Sequence, residues 1–292
     1  VKQRQLGTSG LRISSIGLGT RTWDAGMDVD KARDVLRGFV SAGGTLVDAA
    51  SLPLLAAALP AVPREELVLS LAAGVDPTAP VGMRVDCSRR SLLASLDRSL
   101  AVLGVDHVDI FSVEYWDGLT PPAEIVDTLE SVVRSGRARY AGVRGYSGWQ
   151  AAVTTSPQIV VAQAEYNLLD RSAEQELLPA AEFLGLGFIA SSSLAHGILT
   201  GKYRDGAQPT DAAVFGRLDP HSSRVVEALG TAATGLGISP VTAALAWSQG
   251  RPGVSSTLVG VSDAAQLPDV LRAASVVLPA AIVEALDEVS AR

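Results

Sequence analysis

A chain of 292 residues, 47% of them hydrophobic and 19% charged, has enough apolar matter for one large core. A net charge of −7 without a basic stripe argues against nucleic acid as a partner. One cysteine, Cys87, excludes an intrachain disulfide and a thiolate-rich metal site, and His107, His196 and His221 lack ligand spacing, so no metal is expected.

The elements alternate along the chain. Residues 6–13 alternate around glycine, as an N-terminal β-hairpin does. Ile16 to Gly19 reads as a short strand, with a loop over residues 20–24. Residues 30–42 place Ala32, Val35, Leu36, Phe39 and Val40 at helical spacing and stop at Gly43-Gly44. A strand over 45–48, an apolar helix over 54–59 and a strand over 66–71 follow. Ser88 caps a helix that Gly104 closes. Then come strand 108–113, helix 121–135, strand 140–143, helix 147–154, strand 159–162, helix 173–184 and strand 187–191. Helices from Ser223 and Pro240, a strand over 256–259 and helical segments complete the chain.

A strand about every thirty residues is the size of one βα unit, and about eight such strands close a barrel. The expectation is an α/β protein, a single (β/α)8 TIM barrel with an N-terminal β-hairpin, as one domain over 1–292. No apolar run is long enough to span a membrane, and no charged-then-apolar signal opens the chain, so a cytoplasmic protein without a membrane partner is expected. The oligomeric state is left open.

Chemistry in such barrels sits beyond the carboxyl ends of the strands. The run Val108 to Asp117 is a buried strand that ends abruptly in Glu114, Tyr115, Trp116 and Asp117. Glu114 is therefore a candidate acid, weighed against a solvated rim residue. Trp23, Tyr115, Trp116 and Tyr146 sit in loops at the same end and suit an aromatic wall for a small-molecule substrate, although each singly is more often packing. Cys87 precedes a helix away from this mouth and is given no role.

Several stretches resemble the aldo-keto reductase superfamily, in order and over nearly the whole chain. They are Arg4-Gln5-Leu6-Gly7-Thr8-Ser9-Gly10-Leu11 through Gly19, Gly44-Thr45-Leu46-Val47-Asp48-Ala49-Ala50, and Ser99-Leu100 through Asp109-Ile110. Gln163-Ala164-Glu165-Tyr166-Asn167-Leu168 is similar to the strand supplying the residue stacked on nicotinamide. Leu194-Ala195-His196-Gly197-Ile198-Leu199-Thr200-Gly201-Lys202-Tyr203 resembles the pyrophosphate loop. The family's catalytic tetrad of Asp, Tyr, Lys and His falls on Asp48, Pro53, Ala72 and Glu114, and the loop that carries the Tyr looks shortened. Without Tyr and Lys, carbonyl reduction lacks its usual proton donor. A Glu in place of the His is also seen in a steroid double-bond-reducing branch, which keeps its Tyr.

The resemblance implies NAD(P)H as cofactor, held by Gln163, Tyr166, Ser191, Leu194, Gly197, Leu199, Gly201, Lys202 and Gln266. Departures weaken that implication. Arg144-Gly145 stands where a Ser-Asn pair holds the carboxamide, Ser262 and Asp263 offer no cation to a 2′-phosphate, and Val270 replaces an Asn. His196 lies within the loop and reads as loop structure.

Asp48 and Glu114, at strand ends on one face, should be neighbours across the mouth, where paired carboxylates split into an acid and a base. Arg144 would pair with both, clamp a substrate carboxylate, or point outward as a surface cation. Arg21, in the first loop, is a weaker candidate of the same kind. Three readings follow. The first is an enzyme using Glu114, Asp48 and Arg144 for isomerisation, elimination or cyclisation of a small carbonyl or carboxylate metabolite, with an accessory step in secondary metabolism suggested by composition. The second is an NAD(P)H-dependent oxidoreductase with a replaced proton donor. The third is a non-catalytic binding or regulatory protein.

Overall fold

Short apolar strands separated by amphipathic helices bury their surface best with parallel strands inside and helices outside. The computed structural model describes residues 1–24, 26–203 and 212–291 and has this arrangement. Eight parallel strands close into a barrel, in the order β3 (Ile16–Gly19), β4 (Leu46–Ala49), β5 (Val68–Ala73), β6 (Val108–Glu114), β7 (Ala138–Arg144), β8 (Ile159–Glu165), β9 (Gly187–Ser191) and β10 (Val254–Gly260). β10 returns to pair with β3. Outside lie α1 (Val29–Ser41), α2 (Leu52–Ala58), α3 (Arg89–Leu103), α4 (Pro122–Arg134), α5 (Gly148–Val153) and α6 (Leu177–Leu184). After β9 come α7 (Ala212–Phe215), α8 (Pro220–Leu236) and α9 (Pro240–Gln249), and after β10 come α10 (Leu267–Arg272) and α11 (Ala280–Ser290). The predicted caps are present: Ser88 accepts from the Ser91 N–H, and Gly104 ends α3 with φ of 66°. Among the described residues, no single helix is long and apolar enough to cross a membrane.

The hairpin differs from its expected bounds. Its strands are β1 (Gln3–Gln5) and β2 (Arg12–Ser14), and residues 6–11 form the turn, closed by the Leu6 N–H donating to the Leu11 carbonyl at 2.9 Å. Leu6 leaves the strand because it is fully buried with Ile13 against the barrel floor, made of Leu46, Ile110, Val161, Ile189 and Leu258. Burying these side chains on one another closes the N-terminal end of the barrel. Gly7 permits the close approach: a Cβ there would lie 2.3 Å from the Gly185 carbonyl oxygen, and its φ is +56°.

Side chains alternate along a strand, so the next inward positions above the floor are polar. They are Asp48, Ser112, Gln163 and Ser191, followed by Glu114 and Glu165. Several strand bounds extend beyond expectation, and the extensions matter. β5 runs to Ala73 rather than stopping at Leu71, β7 ends on Arg144, and β8 reaches Glu165. The lumen thus has an oily floor and a polar mouth.

Ile110→Ala should cost about 2–5 kcal/mol of stability, because it opens a void in the closed floor. Urea unfolding followed by circular dichroism checks this; a loss well under 1 kcal/mol would mean that the hairpin plug collapses into the gap.

Candidate functional site

The mouth is organised by an ion pair that crosses the lumen. Asp48 is the penultimate residue of β4 and Arg144 closes β7, three strands away around the barrel. The Arg144 guanidinium is bidentate on Asp48, with Nη2 on Oδ1 and Nη1 donating to Oδ2 at 3.3 Å. Nη2 also donates to the Ser70 hydroxyl at 2.8 Å. The two side chains are 9% and 14% exposed, and the Arg144 Nε is buried without a hydrogen-bond partner. Desolvating two charges is repaid only by geometry of this quality. Arg144 is therefore not a surface cation, and both its terminal nitrogens are engaged.

Ala72, the next inward residue after Ser70, presents only a methyl group, and Pro53 is exposed at the start of α2. The cation facing Asp48 thus comes from β7 rather than β5.

Glu114 is the register partner of Arg144, which in turn pairs with Gln163. The expected sharing of Arg144 by two carboxylates does not occur. Among the described residues the Glu114 carboxylate has no ion pair or hydrogen bond, because the bidentate fork has turned across the lumen to Asp48 and Ser70. Glu114 is partly buried at the mouth.

The loop after β6 is held tightly. Tyr115 has a φ of 63°, its N–H donates to the Arg144 carbonyl at 2.8 Å, and it is 49% exposed. Its ring covers Gly145, where a Cβ would come within 2.6 Å of it. Trp116 packs edge-on against Tyr146 at 5.7 Å and Trp149 at 5.4 Å. The expected aromatic wall is smaller than four residues. Trp23 is fully buried, its Nε1 donating to the Val261 carbonyl at 2.9 Å, and belongs to the main core. Tyr146 is buried beneath Trp116 with an unpartnered hydroxyl, and burial pushes that hydroxyl's pKa up. Tyr115 and Trp116 remain at the rim. Arg21 is exposed on the turn Arg21–Asp24 beyond β3.

Cys87 does not lie away from the mouth. It is buried under the same loop, its thiol donating to the Tyr115 carbonyl at 3.3 Å and its N–H to Asp117 at 2.9 Å. Burial, aided by the Asp117 charge, pushes the thiol up to about 12. Burial opposes the Asp117 charge, yet hydrogen bonds from Thr120, Cys87 and Leu119 hold its carboxyl below the ordinary range. The thiol is inert packing.

The expected cofactor residues divide. Gln163 is 7% exposed and faces the lumen, and its amide has no hydrogen bond among the described residues. Tyr166 cannot stack on a ring in the mouth. It is fully buried outside the barrel, its hydroxyl donates to Glu174 at 2.5 Å, and it stacks on Trp247 at 5.4 Å, a ring that Arg171 and Arg251 also contact. Ser191 ends β9 beside Glu165. Leu194 is partly buried and Leu199 fully so, both packing the loop. Ala195, His196 and Gly197 are consecutive left-handed residues, and Gly201 is a fourth. Lys202 is exposed and folds over Gly197, its ammonium 4.8 Å from the Tyr203 ring. Gln266 is occupied locally, accepting from the Ser262 N–H at 3.0 Å. Asp263 caps the turn Ala264–Gln266, and Val270 is core packing in α10.

Sequence reasoning gave no role to Glu165 and Arg217. Glu165 faces the mouth and is bidentate on Arg217, with Nη2 to Oε2 at 3.0 Å, and it accepts from Asn167 at 3.2 Å. Asn167 also donates to the Ser192 carbonyl at 3.0 Å, fixing another left-handed residue. Period-two spacing from Gln163 marks Glu165 as inward, but nothing local marks Arg217, 52 residues later. Among the described residues, no group of three or more His, Cys, Asp or Glu side chains could hold a metal ion. A groove of about 380 Å³ runs between the 198–203 loop and α8, lined by Ile198, Gly201, Tyr203 and Val226.

The family model for aldo/keto reductases matches residues 15–291. The chain belongs to the aldo/keto reductase family. It is 32% identical over 201 residues to an uncharacterised oxidoreductase, YrpG, of Bacillus subtilis, covering 66% of this chain and 62% of that protein. It is 35% identical over 229 residues to the L-glyceraldehyde 3-phosphate reductase of Escherichia coli O157:H7, covering 72% of this chain and 65% of that protein. It is 29% identical to a probable voltage-gated potassium channel subunit beta of Oryza sativa, over 100% of this chain and 96% of that protein. The chain thus spans under two thirds of the two bacterial relatives and nearly all of the rice one.

Members of this family generally use NAD(P)H. In this chain the lumenal Gln163 and the exposed Lys202 beside a left-handed turn fit such a group. Tyr166, buried and hydrogen-bonded to Glu174, does not fit as a ring-stacking residue.

Arg144→Met should destabilise by about 3–5 kcal/mol, since Asp48 is left charged and unpaired in a desolvated mouth. The Asp48→Asn/Arg144→Met double variant should lose much less than the sum of the single variants. A urea-unfolding double-mutant cycle checks this, and additivity would show that the two side chains are not coupled.

Proposed function

We propose that this aldo/keto reductase family member is an acid–base enzyme acting on a small carbonyl compound, with Glu114 as the group that exchanges the proton. One observation carries the reading. Of the three carboxylates at the mouth, Asp48 and Glu165 are each held bidentately by an arginine, and Glu114 is held by none among the described residues. A carboxylate bridged by a guanidinium must loosen that charge-assisted contact to take up a substrate proton, whereas an unbridged one at a partly buried rim need not.

In this scheme Glu114 removes a proton from the carbon beside the carbonyl and returns it elsewhere, which serves isomerisation, elimination or cyclisation. Asp48 is no longer the partner base. With Arg144 and Ser70 it forms a neutral, rigid floor beneath the reacting group. Arg144 acts through that pair and is a positioning residue; as a clamp for a substrate carboxylate it would have to abandon Asp48. Tyr115 and Trp116 are the aromatic part of the wall.

A second reading, an NAD(P)H-dependent oxidoreductase, is favoured by the lumenal, unbonded Gln163 amide and by the reductase and oxidoreductase names of the bacterial relatives. Bound NAD(P)H would supply a hydride. This chain's residues would contribute Gln163 at the reactive end and Lys202 at the phosphates.

Glu114→Gln should slow enzyme-dependent deuterium exchange at the α-carbon of cyclohexanone, followed by proton NMR in D2O, by about 10²–10⁴-fold. The circular dichroism spectrum should be unchanged, and wild-type exchange rates in the variant would sink the proposal. For the second reading, titration with NADPH and NADH should enhance nicotinamide fluorescence; no response at millimolar cofactor removes it.

A further inference from the structure

The charges facing the barrel mouth do not cancel. Asp48 is neutralised by Arg144 and Glu165 by Arg217, each bidentately. Glu114 is left over, one negative charge at a partly buried rim on a chain whose formal net charge is −7. Low-dielectric walls strengthen the field of such a charge. Both terminal nitrogens of Arg144 are engaged, so the lumen offers no free cation to an anionic substrate. Arg21, exposed on the turn beyond β3, lies three strands around the barrel from Glu114.

Two further observations point to what this mouth receives. Gln163, 7% exposed, faces the lumen with an amide that has no hydrogen bond among the described residues. That amide presents a donor and an acceptor to the lumen. Tyr115, the residue after Glu114, is held in a left-handed conformation that costs a bulky residue energy. Its ring is fixed over Gly145 and remains half exposed at the rim. A carboxylate followed in the chain by a rigid, half-exposed aromatic ring at the same rim is the chemistry that recognises an organic ammonium group, which pairs with the carboxylate and rests against the ring.

We propose that the mouth of this barrel binds a small organic cation, a protonated amine with an apolar body. Glu114 is its counter-ion through one carboxylate oxygen, which leaves the other for proton transfer, Tyr115 is its aromatic face and the Gln163 carbonyl an acceptor for a further N–H. The inference narrows the substrate class of the function proposed above and rests on that reading's placing the working site at this mouth. It selects amine-bearing carbonyl compounds over carboxylates. The selection is electrostatic: an anion would meet an unpaired carboxylate, and a neutral ligand would leave that carboxylate without a counter-charge.

Isothermal titration of the whole protein with benzylamine, benzyl alcohol and benzoate tests this, since the three share one ring and differ in charge. Benzylamine should bind about ten-fold or more tightly than benzyl alcohol, as expected for a charge-assisted contact, and benzoate most weakly. Glu114→Gln should abolish the preference for the amine, and Tyr115→Ala should weaken benzylamine several-fold without affecting benzoate. Glu182→Gln, an exposed carboxylate on α6, should change nothing. Equal binding of the three probes, no saturable binding of benzylamine, or a preference that survives in Glu114→Gln would each overturn the inference. The wild-type ranking of the probes does not depend on any variant's folding. If cyclohexanone exchange still depends on Glu114 while the amine preference is absent, the acid–base reading stands and the cation inference falls. If the preference is present and exchange is absent, the cation inference stands alone.

Discussion

The Asp48–Arg144 ion pair is the constraint on which the mouth depends. A barrel lumen is a poor place for a single charge, because protein walls replace water on every side. Asp48 at the end of β4 therefore requires a cation, and β5 offers only Ser70 and Ala72. Arg144 reaches from β7 and meets the carboxylate with both terminal nitrogens while Ser70 takes a third hydrogen bond. That geometry spends the cation. It explains why Glu114, although adjacent to Arg144 in register, is left with its charge.

The same economy shapes the rest of the rim. Glu165 meets Arg217, which brings the segment before α8 against the barrel end, and Asn167 links Glu165 to the left-handed Ser192. Below, the floor of Leu46, Ile110, Val161, Ile189 and Leu258 is sealed by Leu6 and Ile13 of the hairpin. One inward step along each strand separates an apolar layer from a polar one. Period-two alternation thus turns a stack of hydrophobic side chains into a closed apolar base with a charged top.

Much of this was legible residue by residue. The alternation of strand and helix, the caps at Ser88 and Gly104, and the family motifs gave the barrel and its direction, hence the end at which Glu114, Asp48 and Arg144 would lie. What escaped was anything set by packing around a corner. Trp23 and Tyr146 read as rim aromatics because loops lie at the rim, yet both turn inward and fill core. Tyr166 directly follows the inward Glu165, so period-two alternation turns it outward, and its ring joins Trp247 outside the barrel. Cys87 read as remote because it precedes a helix, yet its thiol donates to the carbonyl of Tyr115, 28 residues further on.

The sequence by itself determined the architecture, because hydrophobic period, turn residues and caps are local properties that each stretch carries with it. It also determined which residue types stand at the strand ends: a carboxylate on β4, a methyl on β5, a glutamate on β6 and an arginine on β7. Only the tertiary structure decided the pairing. Arg144 stands beside Glu114 in register yet pairs with the carboxylate across the lumen, where it is bidentate on Asp48 and also reaches the Ser70 hydroxyl. That choice depends on distances across a closed barrel, which no single stretch of chain contains.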